Sequence, residues 1–193
     1  MRKCVICVLM TTLLLAGCGT AGVSEAEELA LTIRGEYLAM DRCAVQAAVT
    51  ADYGQRVYRY EMAVSVNGEE TSLTLSAPET VAGLTARLSG EENLLEFDGV
   101  SVETGPLDGD GLTPVSALPA LLEAARSGYI TACALEEDGT LLRMDCGDPA
   151  GSPGTGTEIV LWFDAAANTL VRGEVSVDGF RVILCEFSGF TAG

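Results

Sequence analysis

Histidine is absent from this 193-residue chain, and lysine occurs once, at Lys3. The first absence excludes Ser-His-Asp and Cys-His nucleophilic catalysis and every histidine-ligated metal site. The second excludes a P-loop lysine beyond the first few residues, and no GxGxxG follows a strand pattern. Positive charge is scarce: 11 Lys and Arg face 28 Asp and Glu, a net charge of −17. So acidic a surface argues against nucleic acid as a partner and against direct adsorption to anionic lipid, since both depend on Lys and Arg. Long apolar runs are missing too. The longest, Cys4 to Ala16, has 13 residues, short of the roughly 20 that a membrane-spanning helix needs. Among the 28 carboxylates pairs arise by chance, and none forms a recognisable acid/base constellation. The expectation is a non-enzyme with no cofactor and no metal.

What is present begins at the start of the chain. A basic Met1-Arg2-Lys3 leads into the apolar run, which ends in Leu15-Ala16-Gly17-Cys18 and gives way to small and polar residues. This segment resembles the signal peptide and lipobox of a bacterial lipoprotein precursor. The resemblance implies that the Cys18 thiol receives a diacylglyceryl group and that cleavage falls before Cys18. It further implies a protein anchored to the cell membrane on its extracytoplasmic face. Two acyl chains give stable anchoring, at about 0.8 kcal/mol per buried methylene. The expected organisation is a signal peptide over 1–17, a flexible tether over 18–23 and one folded domain over 24–190. The 176 residues left after cleavage (193 − 17) are enough for a substantial core. They keep 9 basic residues against 28 acidic ones, a net −19, and the simplest role of that charge is to keep an exported protein dispersed.

Ser24-Glu25-Ala26-Glu27 has the capping-box pattern. Ala26, Leu29, Ala30, Ile33, Tyr37 and Met40 follow at helical spacing, which predicts a helix over 25–41 with one apolar stripe. From Cys43 the period becomes two. Tyr58, Tyr60, Met62, Val64 and Val66 share a face, and Leu73, Leu75 and Ala77 form the answering one. A two-residue turn at Asn67-Gly68 would set Met62 opposite Leu73, Tyr60 opposite Leu75 and Tyr58 opposite Ala77. Leu84, Ala86 and Leu88, then Leu95 and Phe97, then Val100 and Val102 continue the alternation. Residues 159–163 are apolar on both faces. Asp178-Gly179 predicts a second tight hairpin, with Val177 on Phe180 and Val175 on Val182. Leu118, Leu121, Leu122 and Ala125 mark a helix inserted midway, over 118–126, with Pro119 tolerated in its first turn.

Cys43, Cys133, Cys146 and Cys185 lie in the expected domain, and no two of them form a CxxC pair, which argues against a zinc or thioredoxin-like site. With Asp138-Gly139 as a turn, Cys133 faces Met144 and Cys146 is diagonal on the same face. A one-residue bulge would level the two for a Cys133–Cys146 disulfide; otherwise they are ordinary buried thiols. Asp108-Gly109-Asp110-Gly111 lacks the matching bidentate Glu of a calcium loop and reads as turn chemistry.

The order is helix, short antiparallel strands, inserted helix and more strands, a mainly β fold with α. Several segments carry a family likeness: residues 77–86 (Ala77-Pro78 through Gly83 to Ala86), Leu95-Glu96-Phe97-Asp98-Gly99, Leu161-Trp162-Phe163-Asp164, and Cys185 through Phe190. Over most of residues 25–190 the chain resembles the LolA/LolB-like lipoprotein fold. The resemblance implies a curled antiparallel sheet, an incomplete β-barrel, covered by the N-terminal helix and the inserted helix. It also implies a space between sheet and helices that accepts acyl chains or other apolar molecules. Tyr58, Tyr60, Met62, Leu73, Leu75, Leu95 and Phe97 either line such a space or pack as core beneath the helices. Two functions are carried forward: a membrane-anchored lipoprotein that binds or handles a lipid or other apolar ligand at the cell envelope, and a non-catalytic interaction module that positions or activates a cell-envelope enzyme.

Overall fold

The structure, a computed structural model, describes residues 23–90, 92–106, 109–152 and 154–193. The signal segment, the Cys18 lipobox, most of the expected tether and Asp108 lie outside the described residues. Helix α1 spans Glu25–Ala39 and begins at the expected capping box. The Ser24 hydroxyl accepts from the Glu27 N–H at 3.2 Å, and the Glu27 carboxylate accepts from the Ser24 N–H at 2.6 Å. The apolar stripe is buried, with Ala26, Ala30, Ile33 and Tyr37 facing the sheet. The helix stops two residues before the expected end because Met40 is already extended and β1 starts at Arg42.

Eleven strands follow: β1 (Arg42–Asp52), β2 (Val57–Asn67), β3 (Glu70–Ala77), β4 (Thr85–Ser89), β5 (Glu92–Phe97), β6 (Val100–Thr104), then helix α2 (Ala117–Ser127), β7 (Ile130–Glu136), β8 (Leu141–Cys146), β9 (Thr157–Asp164), β10 (Leu170–Val177) and β11 (Phe180–Ala192). They form one antiparallel sheet in the order β6-β5-β4-β3-β2-β1-β11-β10-β9-β8-β7. Every neighbour in that order is also a neighbour in sequence except the central β1–β11 pair. The sheet does not close, and β6 and β7 are its two edges. The connection from β6 to β7 must therefore travel from one edge to the other, and α2 makes that crossing over the concave face. The helices pack on the β7–β11 half: α1 on β7 and β8, and α2 on β9, β10 and β11.

Two glycines permit this close packing. A Cβ on Gly173 of β10 would stand 2.6 Å from the buried Leu121 side chain of α2. Gly111, at φ 71°, would place a Cβ 2.6 Å from that of Ala120. Fully buried Phe163, Ile33, Leu121, Leu142, Met144, Leu161 and Ile183 form the centre of the core.

Two hairpin registers differ from expectation. In β2–β3 the turn is Gly68-Glu69, so Met62 faces Leu75 and Val64 faces Leu73. Gly68 is at φ 61°, while Asn67 and Glu69 keep negative φ, which fits a Gly-first turn with a single positive φ better than the expected Asn-Gly turn. The shift moves pairing by two residues, so the apolar faces still meet. That shift already puts Met62 where Tyr60 was expected, opposite Leu75, and a bulge beyond it sets Glu61 opposite Ala77, so neither the Tyr60–Leu75 nor the Tyr58–Ala77 pair forms. In β10–β11, Asp178 and Gly179 both take positive φ and Val177 faces Phe180 as expected. A bulge then places Val175 opposite Ile183 and not Val182, and both side chains of that pair are fully buried.

Candidate ligand cleft

Helix α1 is held at one end. The Tyr37 ring packs edge-on against Phe163, with centroids 5.4 Å apart, and lies 5.9 Å from Phe190. Its hydroxyl oxygen accepts from the buried Leu170 N–H at 2.8 Å. Two arginines bind the helices to each other. Arg126 of α2 donates to the carbonyls of Tyr37 and Met40, both at 3.1 Å, at the end of α1. Arg34 of α1 donates to the carbonyls of Ala125 and Gly128 at the end of α2. Each helix thus supplies a cation to the negative end of the other, where carbonyls lack intrahelical partners.

The N-terminal half of α1 stands differently, with a cleft on either side. One, of about 660 Å³, lies between α1 and β7. Six of its nine lining residues are apolar: Val23, Ala30, Leu31, Ile130, Ala132 and Cys133. The other, of about 580 Å³, lies between α1 and the β7–β8 and β9–β10 turns and includes Glu25, Glu28 and Asp164. The first has no Asp and a single Glu, Glu27, on its wall, against three carboxylates on the second.

The seven side chains considered from sequence occupy the other half of the sheet. Met62, Leu73 and Leu75 are core residues no more than 5% exposed. Tyr60 and Leu95 are half-buried, and Tyr58 and Phe97 are exposed. Tyr58 stands between Tyr53 and Tyr60, with ring centroids 6.2 and 6.4 Å away. None of the seven lines the two clefts beside α1. The residues that do come from segments about 100 positions apart, and no local pattern joins them.

All four described cysteines are free thiols. Cys133 faces Met144 as expected, but the bulge in β7 sets Cys146 opposite Ile130 and not level with Cys133. Cys146 instead packs beneath α2, its sulfur 3.9 Å from the Ala124 carbonyl. Burial pushes the Cys146 thiol up to about 11 and the Cys185 thiol up to about 12, and it raises Cys43 and Tyr37 as well. In these groups the folded state keeps its proton where the unfolded chain releases it. Stability is therefore fully present below the ordinary thiol value of about 8.5 and lost as pH rises above it. Urea midpoints measured from neutral to alkaline pH should fall progressively above that value; a flat profile would contradict this burial.

On the convex face, Trp162 donates to the Glu136 carboxylate at 2.9 Å. The Arg172 and Arg143 guanidinium carbons lie 4.6 and 5.6 Å from its ring centre. Arg143 pairs with Glu136 and Asp145, and Arg172 and Arg181 share Glu174. These pairs balance each other's charge and cover the apolar outer side of β9. Among the described residues, no group of three or more Asp, Glu or Cys side chains is placed to hold a metal ion. No helix among them is long and apolar enough to cross a membrane.

No protein-family model and no curated protein sequence matches the chain. Solved structures do. A chain of the CwlD amidase complex with the GerS lipoprotein, from Clostridioides difficile, aligns with a TM-score of 0.51 and 14% identity over 87% of this chain and 96% of its own. An uncharacterized conserved protein from Thermus thermophilus aligns at 0.51 and 9% identity over 88% of each chain. A DUF1329 family protein from Desulfovibrio piger aligns at 0.50 and 10% identity over 90% of this chain and 94% of its own. At such identities the likeness concerns architecture alone. The chain shares with these structures an architecture that, as an open eleven-stranded antiparallel sheet curled over two helices, is the one the sequence resemblance implies.

Proposed function

We propose that the protein is a lipid-anchored lipoprotein of the extracytoplasmic membrane face whose half-barrel takes up a lipid acyl chain or other apolar ligand between α1 and β7. The observation that carries this reading is the cleft of about 660 Å³ with its mostly apolar walls. Its size falls within the usual range for small-molecule sites, about 300–1,000 Å³. Its position suits such a role, because Val23 lines it and follows Cys18 by five residues, a fully extended reach of roughly 18 Å. An anchor at Cys18 would hold the cleft mouth close to the bilayer. Binding needs no chemistry beyond apolar burial, in keeping with a chain that lacks histidine.

Native mass spectrometry of the full protein purified from membranes should show an apolar adduct, or uptake of a fluorescent fatty acid. Leu31 is 61% exposed on the cleft wall, so Leu31→Glu should abolish uptake without changing the melting temperature. A protein that takes up no apolar probe would refute the reading. Cys133 supplies a second readout, being the one described thiol that is not fully buried. Burial first, and then the charges of Glu27 and Asp145, raise its thiol above the ordinary value. Alkylation should reach Cys133 before the other described thiols, accelerate as pH rises, and slow when the apolar probe is bound.

A second reading, a docking module for an envelope enzyme, is favoured by one observation: the concave face is uncovered over β5 and β6. The complex of the CwlD amidase with the GerS lipoprotein is an instance of this fold in an assembly with an enzyme.

A further inference from the structure

We propose, resting on the docking reading, that the free edge of β6 is a site for an extended basic segment of a partner protein, which adds as a further strand. The concave face changes character along its rows. One row runs Val45, Val64, Leu73, Ala86, Leu95 and Val102 across β1 to β6. Its first four members are at most 3% exposed, Leu95 is half-buried and Val102 is 53% exposed. The neighbouring pair Phe97 and Val100 is 41% and 64% exposed. The helices pack on the opposite half of the sheet and leave these side chains in water. The strand itself is held in place. Asn93, 3% exposed, accepts from the Ser89 N–H and donates to the Gly105 carbonyl just beyond β6.

An edge strand presents unpaired backbone donors and acceptors and pairs with any suitable chain unless it is blocked by lysine, proline, a bulge or a cover. β6 reads Val-Ser-Val-Glu-Thr and pairs regularly with β5, so it has none of the first three. Charge then selects the occupant. Residues 92–104 contain Glu92, Glu96, Asp98 and Glu103 and no basic residue; Arg87 is on β4, two strands in from β6. Ser101 and Glu103 alternate with Val100 and Val102, so an added strand meets apolar side chains on one face and a carboxylate on the other. Opposite charges directly across a strand pair stabilise it and like charges destabilise it. A second copy of this chain brings the same net −17 and is repelled, whereas a segment alternating apolar and basic residues fits both faces.

The test uses the full protein and two fluorescent hexapeptides, one alternating valine and lysine and the other valine and glutamate. The basic peptide should bind roughly tenfold or more tightly than the acidic one, lose affinity with salt, and protect amides 100–104 from hydrogen exchange. Val100→Asn with Val102→Asn, both at exposed positions, should abolish binding with circular dichroism unchanged. Glu103→Gln should weaken it and flatten the salt dependence. Equal binding of both peptides, protection elsewhere, indifference to the valine replacements, or a dimer joined through β6 in sedimentation would each overturn the edge site. An envelope enzyme bound while β6 amides still exchange freely would also overturn it, and would leave the docking reading itself standing.

Discussion

Replacing Tyr37 with alanine should lower the unfolding free energy by about 3–5 kcal/mol, the usual cost of deleting a buried aromatic ring. A domain of ordinary stability has about 5–15 kcal/mol to lose, so the melting temperature should drop by roughly 10 °C or more. The effect is large because Tyr37 does three things at once. It is 3% exposed, its ring packs on Phe163 and Phe190, and its oxygen is the acceptor for the Leu170 N–H. Tyr37→Phe separates the last from the others. It keeps the ring and strands a buried donor, at about 1–3 kcal/mol. Thermal and urea unfolding of the two variants give the comparison. A neutral Tyr37→Phe would mean that water replaces the hydroxyl, and a mild Tyr37→Ala would mean that α1 contributes little to folding.

Arg126→Met should cost about 2 kcal/mol, near the lower part of the 1.5–3 kcal/mol range for hydrogen bonds to charged groups, because its site is only partly buried. Methionine keeps most of the apolar stem, so the loss reports the guanidinium. Arg126→Lys should recover only part of it, since a point charge cannot span two carbonyls as the planar fork does. Arg34→Met should act in the same direction from the other side of the helix pair. The double variant should lose less than the sum, because both links serve one α1–α2 contact and the second is weakened once the first is gone. Full additivity in urea unfolding would show two independent links. Loosening this end of α1 should also alter uptake at the cleft along its other end, while Leu31→Glu changes uptake alone.

The local elements were readable in the chain. Ser24 and Glu27 announced the start of α1, and Asp178-Gly179 announced the last hairpin, because caps and tight turns depend on residues next to each other. Alternation from Cys43 onward showed the apolar face of the sheet, since side chains in a strand alternate strictly. The β2–β3 register was one turn position off, because Asn67, Gly68 and Glu69 support two turns that differ only in backbone conformation. A separate bulge between Glu61 and Met62, which no sequence pattern marked, then displaced Tyr58 and Tyr60 further.

Composition and motif, then, settle the exclusion of histidine chemistry, the acidic surface, the expectation of an anchor at Cys18 and a mainly β domain with two helices. They do so because each depends on residue type or on short-range periodicity. The location of the cleft and of the bare surface depended on tertiary structure. Alternation makes Leu73 and Val102 look alike, yet Leu73 is 2% exposed and Val102 is 53% exposed. The difference comes from the β1–β11 pairing and from the crossing between β6 and β7, whose Leu112 and Val115 pack on the core and whose Pro119 and Ala120 stand beside Thr71 and Leu88, while Val100 and Val102 at the β6 edge remain exposed. What covers an apolar face is decided by contacts between residues about a hundred positions apart, and the chain carries no local record of them.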